Sequence, residues 1–469
     1  MLPYPDWLNP GDNAWQLMAA TLVGLMSIPG IAVLYGGIVQ KKWAVNTMLM
    51  AFTGFSLVLV VWVLWGFKMG FGEPIKLFKG IPVLRSVLGV PHTILGTNNM
   101  DRASIPLLDG NMPKFNFSET TLAYFQFVFA AITPLLFLGS VVGRMNFKVW
   151  LIFVPLWSTF AYSVNAFLLW GGGWWAEAGA LDYSGGYVIH LAAGTTGFVA
   201  AAVIGPRLQR DREHAVPNNL PMAAVGAGVL WLGWNGFNGG DPYFAGADAS
   251  IAVLNTNLAT GCALLTWVIW DIFASKQRKP TFLGAINGMI TGLVAITPAA
   301  GFVNSFGAMI IGVVASSLVW MSWNWLGKTR PFKKVDDTLG VFHTHGVAGL
   351  AGGLLVGVLA DPKVIEYLPG GGQSGFSASG WLYGDHPKQI LIQLGAAATV
   401  IFWDALITVV ILKVLGLFMK LRLPDEVLET GDLGVHDEEA YPDEGLVSGR
   451  RVGSPVAART AEPAEPVDD

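Results

Sequence analysis

Eleven long apolar runs limit what this sequence can fold into. A run of about 20 apolar residues crosses a bilayer as a helix, because the hydrocarbon core offers no water to the backbone N–H and C=O groups. Only 13% of the residues are charged, against roughly 25% in soluble domains. We therefore predict an all-α polytopic membrane protein with eleven transmembrane helices. The runs lie near residues 14–36, 43–71, 120–142, 148–171, 186–205, 220–239, 250–275, 281–299, 303–327, 338–360 and 390–419.

The basic residues predict the orientation, because Lys and Arg are enriched in cytoplasmic loops. With the N-terminus outside, sixteen basic residues fall on cytoplasmic connections and eight on outside segments. We therefore predict N-out, C-in. The cytoplasmic set is Lys41, Lys42, Arg144, Lys148, Arg207, Arg210, Arg212, Lys276, Arg278, Lys279, Lys328, Arg330, Lys333, Lys334, Lys420 and Arg422.

The distribution of charge divides the chain into two domains. Residues 423–469 carry 13 acidic and 3 basic residues, a net charge of −10, so the total of −4 leaves +6 for residues 1–422. We predict a transmembrane domain over 1–422 and a cytoplasmic acidic tail over 423–469. Beyond about residue 445 the tail is rich in Pro, Ala and Glu, a composition typical of disorder.

One motif occurs twice, as Asp-x-x-Gly-x-(Tyr/Phe)-x-x-His-x-x-Ala-Gly over 182–194 and 337–349. The first copy opens the fifth run and the second opens the tenth. Because five crossings separate equivalent points, the copies run in opposite directions through the membrane. This pattern predicts a 5+5 inverted repeat with a pseudo-twofold axis, an architecture that places transport sites near mid-depth. The eleventh helix lies outside the repeat and is expected at the periphery.

The repeat predicts that His190 and His345 meet. Counted from the aspartate, each histidine lies eight residues into its helix, about 12 Å at 1.5 Å per residue. In a core of roughly 30 Å, both imidazoles then fall near mid-depth from opposite sides. A lone intramembrane histidine could simply be a packing residue. Two at equivalent repeat positions favour a polar pathway, where they could hold or relay a proton.

Several other polar and aromatic residues have simpler interpretations. Asp182 and Asp337 precede helices, where Asp is a natural N-cap, so capping is favoured for both, although Asp182 could also support a cation in a vestibule. His343 is expected to pack. Spacing alone favours interfacial anchors for four aromatic residues near predicted outer helix ends, namely Phe129, Trp170, Trp234 and Phe237.

Motifs of catalysis and cofactor binding are not convincing anywhere in the sequence. No glycine-rich phosphate loop, nucleophile triad or multi-ligand metal motif stands in a suitable context, and Cys262 is the only cysteine. We expect no enzyme activity, no cofactor, no metal and no nucleic-acid partner.

The sequence resembles the ammonium transporter (Amt/Mep/Rh) family over nearly its whole length, and is most similar to the bacterial Amt type. The tail segment Asp432-Leu-Gly-Val-His-Asp-Glu-Glu-Ala-Tyr441 is similar to the family's cytoplasmic signature. The other matching segments are Ile28-Pro-Gly-Ile-Ala-Val-Leu-Tyr-Gly-Gly37, Phe125-Gln126, Trp170-Gly-Gly-Gly173, Asp182 to His190, Trp234-Asn-Gly-Phe-Asn238, Lys279-Pro-Thr with Gly292-Leu-Val-Ala-Ile-Thr-Pro298, and Val335-Asp-Asp with His345-Gly-Val.

The resemblance implies a homotrimer in the cell (inner) membrane, with one ammonium pore per subunit. It implies an outer ammonium site with Phe129, Trp170 and Trp234, and a gate of stacked Phe129 and Phe237. It also implies paired pore histidines, His190 and His345, and a structural role for Asp182 in supporting the site. The aromatic residues are then better interpreted as a recruitment site than as anchors.

Three features depart from the family pattern. Asp241 stands where many bacterial members have Ser at the outer site, so a carboxylate strengthens the attraction for a cation. His343 replaces a residue that is usually small, and Asp437 stands where Gly is common. A PII-type signal protein is therefore a candidate partner at the tail, although the tail signature is only approximate.

The leading hypothesis is electrogenic ammonium uptake, in which NH4+ is deprotonated, NH3 passes the histidines and the proton is relayed separately; methylammonium is a further candidate substrate. A receptor that signals through its tail is an alternative, although the tail is only about 47 residues long and contains no kinase or cyclase domain. A membrane redox enzyme with His190 and His345 as haem ligands is a third, disfavoured because haem ligands face each other across a macrocycle.

Overall fold

The fold, given by a computed structural model, is built from helices. The structure describes residues 5–75, 87–96, 100–105, 114–365, 378–384 and 387–442, and the tail segment 445–469, predicted to be disordered, lies outside them. Within these ranges the only β-pairing is three isolated bridges. Helices suit an apolar chain in a bilayer because each one satisfies its own backbone hydrogen bonds.

A helix covers each of the eleven predicted apolar runs, which confirms the all-α membrane fold. Among the described residues, nine helices are long and apolar enough to cross a membrane. The 20-residue α6 and the 15-residue α8 fall outside that set, so their crossing and the N-out orientation remain predictions. The helices are α1 Pro10–Ile38, α2 Lys41–Phe71, α3 Glu119–Val141, α4 Phe147–Glu177, α5 Gly186–Ile204, α6 Leu220–Gly239, α7 Ala247–Ala274, α8 Phe282–Ile296, α9 Ser305–Lys328, α10 Phe342–Leu359 and α11 Lys388–Leu415.

Side-chain caps fix where several helices begin. The first turn of a helix has free backbone N–H groups, and Asn, Ser or Thr just before it accepts their hydrogen bonds. Helices α1, α3, α4, α6, α8 and α9 all start this way. The capping residues are Asn9, Ser118, Asn146, Asn219, Thr281 and Asn304.

The packing follows the predicted repeat of α1–α5 and α6–α10. Equivalent pairs make equivalent contacts: α1 packs on α2 as α6 packs on α7, and α3 packs on α5 as α8 packs on α10. Helices α1 and α6 pack against each other where the two halves meet. Helix α3 is almost wholly buried, whereas α11 is mainly exposed and lies against α5 and α10. The two halves therefore meet through these helices, and α11 lies outside them as predicted.

The start of the tail folds against the end of the bundle where α2 begins. It forms two short helices, α12 Asp425–Thr430 and α13 Asp432–His436. The Asp432 carboxylate accepts hydrogen bonds from the backbone N–H groups of Val45 (2.8 Å) and Asn46 (2.9 Å), so the tail caps α2. Between the short helices, Gly431 adopts a left-handed conformation (φ 67°). The tail is thus attached to a transmembrane helix by its own side chain.

Candidate functional site

The two repeat histidines contact each other inside the bundle. His190 Nδ1 and His345 Nδ1 are 3.2 Å apart, and both side chains are buried. Each lies in a π-helical turn, Gly186–Leu191 or Phe342–Val347, at the start of its helix. The expectation that each histidine lies eight residues into a helix is wrong, because the helices begin only three or four residues before the histidines. The imidazoles meet as predicted, but through the first turns of α5 and α10.

The motif glycine explains the late helix starts. Gly185 and Gly340, at equivalent repeat positions, have φ values of 108° and 72°, in the left-handed region that favours glycine. Ahead of each glycine, the aspartate turns back to accept hydrogen bonds from the first turn of its helix. Asp182 Oδ2 accepts from Tyr187 N and Val188 N, both at 3.0 Å, and Asp337 accepts from the corresponding turn of α10.

The final glycine of each motif lets the two half-helices cross closely. A Cβ added to Gly194 would lie 2.3 Å from Gly346 Cα. In the reciprocal contact, a Cβ added to Gly349 would lie 2.5 Å from Gly186 O and 3.1 Å from His190 Cβ. These contacts are what a pseudo-twofold axis requires. Both glycines keep the backbones close enough for the histidines to touch.

The predicted gate residues stack directly beside the histidine pair. The ring centroids of Phe129 and Phe237 are 4.4 Å apart, and the His190 ring lies 5.9 Å from Phe237 and 5.3 Å from Trp234. Trp234 Nε1 donates to Thr297 Oγ1 at 2.9 Å. Phe129, Phe237 and Trp234 are fully buried, so the anchor interpretation from spacing is wrong for them.

Trp170 lies on the other side of the gate, at the end of the bundle predicted to face outward and here called the outer end. Its ring centroid is 6.3 Å from Phe129 and 6.5 Å from the stacked ring of Phe71. Trp170 Nε1 donates to the backbone oxygen of Asp182 at 2.7 Å, which joins the aromatic site to the helix that carries His190. The contacts of Trp234 are with His190 and Phe237, so the structure places Trp234 beside the histidine rather than beside Trp170.

Asp241 lies in a turn that three side chains of α1 hold in place. Gln16 Nε2 donates to Gly240 O at 2.9 Å, and Trp15 Nε1 donates to Gly239 O at 2.9 Å. A third bond, from Ala245 N to Asp12 Oδ1, closes the turn at 2.8 Å. The position of Asp241 is thus set by the repeat half to which it does not belong.

Burial controls the acidity of the outer carboxyl groups. It raises the pKa of Asp182 to about 7, although hydrogen bonds from the backbone N–H groups oppose the rise. Burial also raises the pKa of Asp241, and the charge of Asp182 adds to that effect, while the Ser184 hydroxyl opposes it. Both groups therefore bind a proton more readily than an exposed aspartate does.

Two residues of the outer end were missed by sequence reasoning. Gln126 Nε2 donates to the hydroxyl of Tyr243 at 2.9 Å, and Tyr243 stacks on Phe115 with centroids 4.5 Å apart. Gln126 does belong to a segment shared with the family, which was a usable signal. Tyr243 has none, because it takes a left-handed conformation (φ 63°) in a loop and its partner Phe115 lies outside the apolar runs.

The predicted packing role of His343 agrees with its surroundings. His343 Nδ1 pairs with Ser322 Oγ at 2.8 Å, and the ring lies 5.5 Å from that of Trp323. Within the described part of the chain, no group of three or more His, Cys, Asp or Glu side chains could hold a metal ion. The geometry disfavours the alternative of a haem between His190 and His345, because the two rings contact each other directly and leave no space for a macrocycle between them.

The opposite, inner end is organised by an ion pair beside a cavity. Arg207 donates to Asp336 through its backbone N (2.8 Å), Nε (3.0 Å) and Nη2 (2.8 Å), and the fully buried Arg144 also donates to the Asp336 backbone. Burial alone would raise the pKa of Asp336, but the bonds and charges of the two arginines outweigh it and lower that pKa. A cavity of about 240 Å³ lies alongside, lined in part by Arg207, Trp43 and Trp323.

Comparison with known proteins gives a consistent result. Residues 14–441 match the model of the Ammonium Transporter Family. The chain is 49% identical to rice Ammonium transporter 2 member 1, over 93% of this chain and 88% of the relative, and 48% identical to Arabidopsis thaliana Ammonium transporter 2, over 93% and 89%. The crystal structure of Saccharomyces cerevisiae Mep2 superposes with a TM-score of 0.76 at 28% identity, covering 90% of this chain and 89% of Mep2.

These relatives confirm the predicted family, while the narrower prediction of the bacterial type finds no support in the plant and yeast proteins named here. A protein called Sensor Amt Protein shares the fold, with a TM-score of 0.75 at 24% identity over 90% of this chain and 96% of that one. The family and its relatives are transporters rather than enzymes. The chain therefore belongs to the Ammonium Transporter Family and is a multi-pass membrane ammonium transporter.

Proposed function

We propose that this transporter recruits NH4+ at the outer aromatic site, removes a proton, and passes NH3 along His190 and His345 while the proton is relayed separately. The observation that carries the proposal is the order of the contacts. Trp170 touches Phe129, Phe129 touches Phe237, Phe237 touches His190, and His190 bonds to His345. Aromatic, gate and imidazole groups thus follow one line through the bundle.

Recruitment rests on cation–π attraction and on charge. A cation over an aromatic face gains about 0.5–2 kcal/mol, more when water is excluded, and Trp binds best. Trp170 is half-buried and stacks on Phe71, so one indole face is fixed against the protein. Asp241 adds a carboxylate at the same end of the bundle. The site favours a small cation that can also donate hydrogen bonds.

The phenylalanine gate then opposes the ion. Phe129 and Phe237 are fully buried and present only carbon to the pathway, so an NH4+ ion between them would lose its hydration without a replacement. Neutral NH3 carries no such penalty. K+ resembles NH4+ in charge and size but cannot be deprotonated, so the same gate rejects it.

The histidine pair supplies the polar lining on the inner side of the gate. At 3.2 Å, the N–H group of one Nδ1 donates a hydrogen bond to the other Nδ1, so the two neutral rings are joined by one N–H···N hydrogen bond. Such a pair can pass a proton by exchanging tautomers and can bond to NH3 in transit. Gly194 and Gly349, which hold the rings together, serve the pathway without contacting the substrate.

The test is electrical recording from proteoliposomes on a solid-supported membrane. An NH4+ pulse should give a current that an equal K+ pulse does not, and His190→Ala should reduce the NH4+ current and weaken its selectivity. His343→Ala is the matched control, because it removes a histidine of α10 that bonds to Ser322 outside the pathway. K+ currents equal to NH4+ currents in the wild type, or higher selectivity in His190→Ala, would contradict the scheme.

We further propose a homotrimer in the cell inner membrane, in which each subunit has its own pore. Large apolar side chains on α6 and α7 are exposed on the single chain, among them Val225 (63% exposed), Leu232 (65%) and Leu265 (62%). Native mass spectrometry in detergent should give three copies; a monomer would contradict the assembly.

Two further experiments test the location and the substrate range. Fractionation of membranes tests whether the protein lies in the cell inner membrane. Competition by methylammonium in the flux assay tests whether the outer site accepts methylammonium.

A PII-type signal protein is the partner proposed for the tail. The support is the attachment of α12 and α13 to the inner end of α2, which gives a tail-binding protein a route to the transmembrane helices. Co-purification with a PII-type protein, abolished by deleting residues 423–469, is the expected result. Equal recovery with and without the tail would place the contact elsewhere.

A further inference from the structure

The turn that follows α6, the helix of the gate residue Phe237, carries a carboxylate, Asp241, with an oxygen that accepts no hydrogen bond from any described residue. Asp241 comes four residues after Phe237 and two residues after the end of α6, so a short stretch of chain separates the carboxylate from the gate residue. Its Oδ2 is buried and makes no hydrogen bond with the described residues. Asp182, which is 94% buried, likewise has one unpartnered oxygen, Oδ1, whereas its Oδ2 holds two backbone N–H groups. Among the described residues, these two carboxyl oxygens at the outer end therefore accept no hydrogen bond within 3.5 Å, although the Ser184 hydroxyl is close enough to Asp241 to favour its ionised form.

The groups that face Asp241 provide no fixed positive charge. The titratable side chains that interact with it are Asp182, Tyr162, Tyr183 and Tyr243, drawn from α4, from the segment before α5 and from its own turn. None of the ion pairs within the described residues includes Asp241 or Asp182. A buried carboxylate without a counterion is costly, so this arrangement favours a mobile cation or a proton.

Resting on the proposed function, we infer that Asp241 is the first proton acceptor for NH4+ and lies on the outer side of the Phe129–Phe237 gate. One N–H bond of NH4+ breaks and an O–H bond forms at Asp241 Oδ2. The electron pair stays on nitrogen, and NH3 enters the gate. The proton then passes to Oδ1 of Asp182 at the head of α5, and this transfer returns Asp241 to its ionised form. Asp182 releases the proton in turn to the separate proton relay of the proposed function, so that both carboxylates are ionised again before the next NH4+ arrives.

The position of the gate makes Asp241 a better first acceptor than His190. His190 stacks against the inner side of Phe237, so a charged ion would have to cross the gate before reaching the imidazole. Asp241 meets the ion while it is still at the outer end. The bonds from Gln16 and Trp15 to the neighbouring backbone fix the acceptor, which general-base transfer requires. Its raised pKa, caused by burial, also makes it a stronger base than an exposed aspartate.

The experiment separates proton acceptance from simple attraction of the cation. NH4Cl flux into proteoliposomes is measured against concentration and outside pH for the wild type, Asp241→Asn, Asp241→Ser and Asp241→Glu. Loss of a general base typically slows a reaction by 10²- to 10⁴-fold. We expect the maximal flux to fall at least about 10-fold in the Asn and Ser variants and to recover in part in the Glu variant. The acid limb of the wild-type pH profile should disappear with the carboxylate.

A matched control carries the same charge change nearby. Asp248→Asn removes a half-buried carboxylate in the first turn of α7, seven residues along the chain, and should change the half-saturation concentration only slightly. If Asp241→Asn only raises the half-saturation concentration and keeps the maximal flux within about twofold, Asp241 attracts the ion without accepting its proton, and the inference is overturned. If Asp241→Asn does not fold, the maximal flux of Asp241→Ser and the fall of the wild-type flux at acid outside pH decide whether Asp241 accepts the proton.

The result also distinguishes this inference from the proposed function. A wild type that conducts no NH4+ would remove the proposed function and the inference together. A wild type that conducts NH4+ and loses flux in His190→Ala, while Asp241→Asn and Asp241→Ser conduct normally, would leave the proposed pathway intact and remove only the role of Asp241.

Discussion

The close crossing of α5 and α10 allows the effect of one substitution to be predicted from distances in the structure. Gly194→Ala adds a methyl group whose carbon would lie 2.3 Å from both Cα and N of Gly346. Backbone atoms have no rotamer with which to avoid it. Non-bonded carbon atoms rest at about 3.5–4.0 Å, so the helices must separate locally by about 1 Å. The same shift would carry the histidine nitrogens from 3.2 Å to about 4 Å, beyond hydrogen-bonding distance.

The expected cost has two parts. Overpacking of this kind destabilises a protein by about 1–3 kcal/mol, and separation of the imidazoles adds the loss of one buried hydrogen bond, about 1 kcal/mol. Three other glycines set a graded series. Gly349→Ala meets a backbone oxygen at 2.5 Å, Gly346→Ala meets its nearest atom at 3.3 Å, and Gly261→Ala meets nothing within 4 Å.

The assay is NH4+ current per reconstituted protein, together with the melting temperature in detergent. Both should fall most for Gly194→Ala, then for Gly349→Ala, and only slightly for Gly346→Ala, whereas Gly261→Ala should match the wild type. Wild-type current and melting temperature in Gly194→Ala would refute the claim that close backbone contact holds the histidine pair. Equal losses across all four variants would point to a general intolerance of alanine.

Three further predictions concern stability and the tail. The pKa of Asp336 is lower in the folded state than its unfolded value of 3.8, so the ion pair with Arg207 stabilises the fold at pH values above 3.8 and this stabilisation is lost as the pH falls through the folded pKa. Asp336→Asn should therefore have a lower melting temperature than the wild type at pH 7. The difference between the two melting temperatures should disappear in acid. Gly431→Ala places Cβ at 2.1 Å from Lys42 O at a φ of 67°, so the tail should detach and become sensitive to protease, at a cost above about 1 kcal/mol. Gln393→Leu removes three side-chain hydrogen bonds, each 2.7 Å long, and should lower the free energy of unfolding by about 3 kcal/mol. The melting temperature should fall with it, and an unchanged melting curve would contradict this prediction.

The repeat motif shows how far sequence alone reaches. Its aspartate, glycines and histidine each have a use in the structure. The pairing of His190 with His345 followed from the inverted topology of the repeat, whereas the expected depth of eight residues into each helix was wrong. The start of the helices did not follow, because the left-handed Gly185 and the π-helical turn carry no periodic signal. Hydrophobic periodicity detects a helix of 20 residues but does not fix which residue begins it.

The aromatic residues show where single-residue reasoning stops. Three of them match interfacial anchors in residue type and in predicted position near a helix end, namely Phe129, Trp234 and Phe237. Only their neighbours in three dimensions show that their side chains face the interior. Tyr243 was out of reach, since its contacts with Phe115 and Gln126 join segments more than 100 residues apart. Such contacts depend on how the two halves dock, and that information is spread over the whole sequence.

The pairing of one histidine from each half has a consequence for biosynthesis. His190 and His345 are 155 residues apart in the chain, which a ribosome needs about 8–30 s to synthesise. During that time α5 enters the membrane with a polar imidazole and no histidine partner, and the pair cannot form until α10 has been inserted. The proposed transport route is therefore among the last parts of the molecule to form, and in a chain truncated before residue 345 the His190 imidazole has no histidine partner in the bilayer.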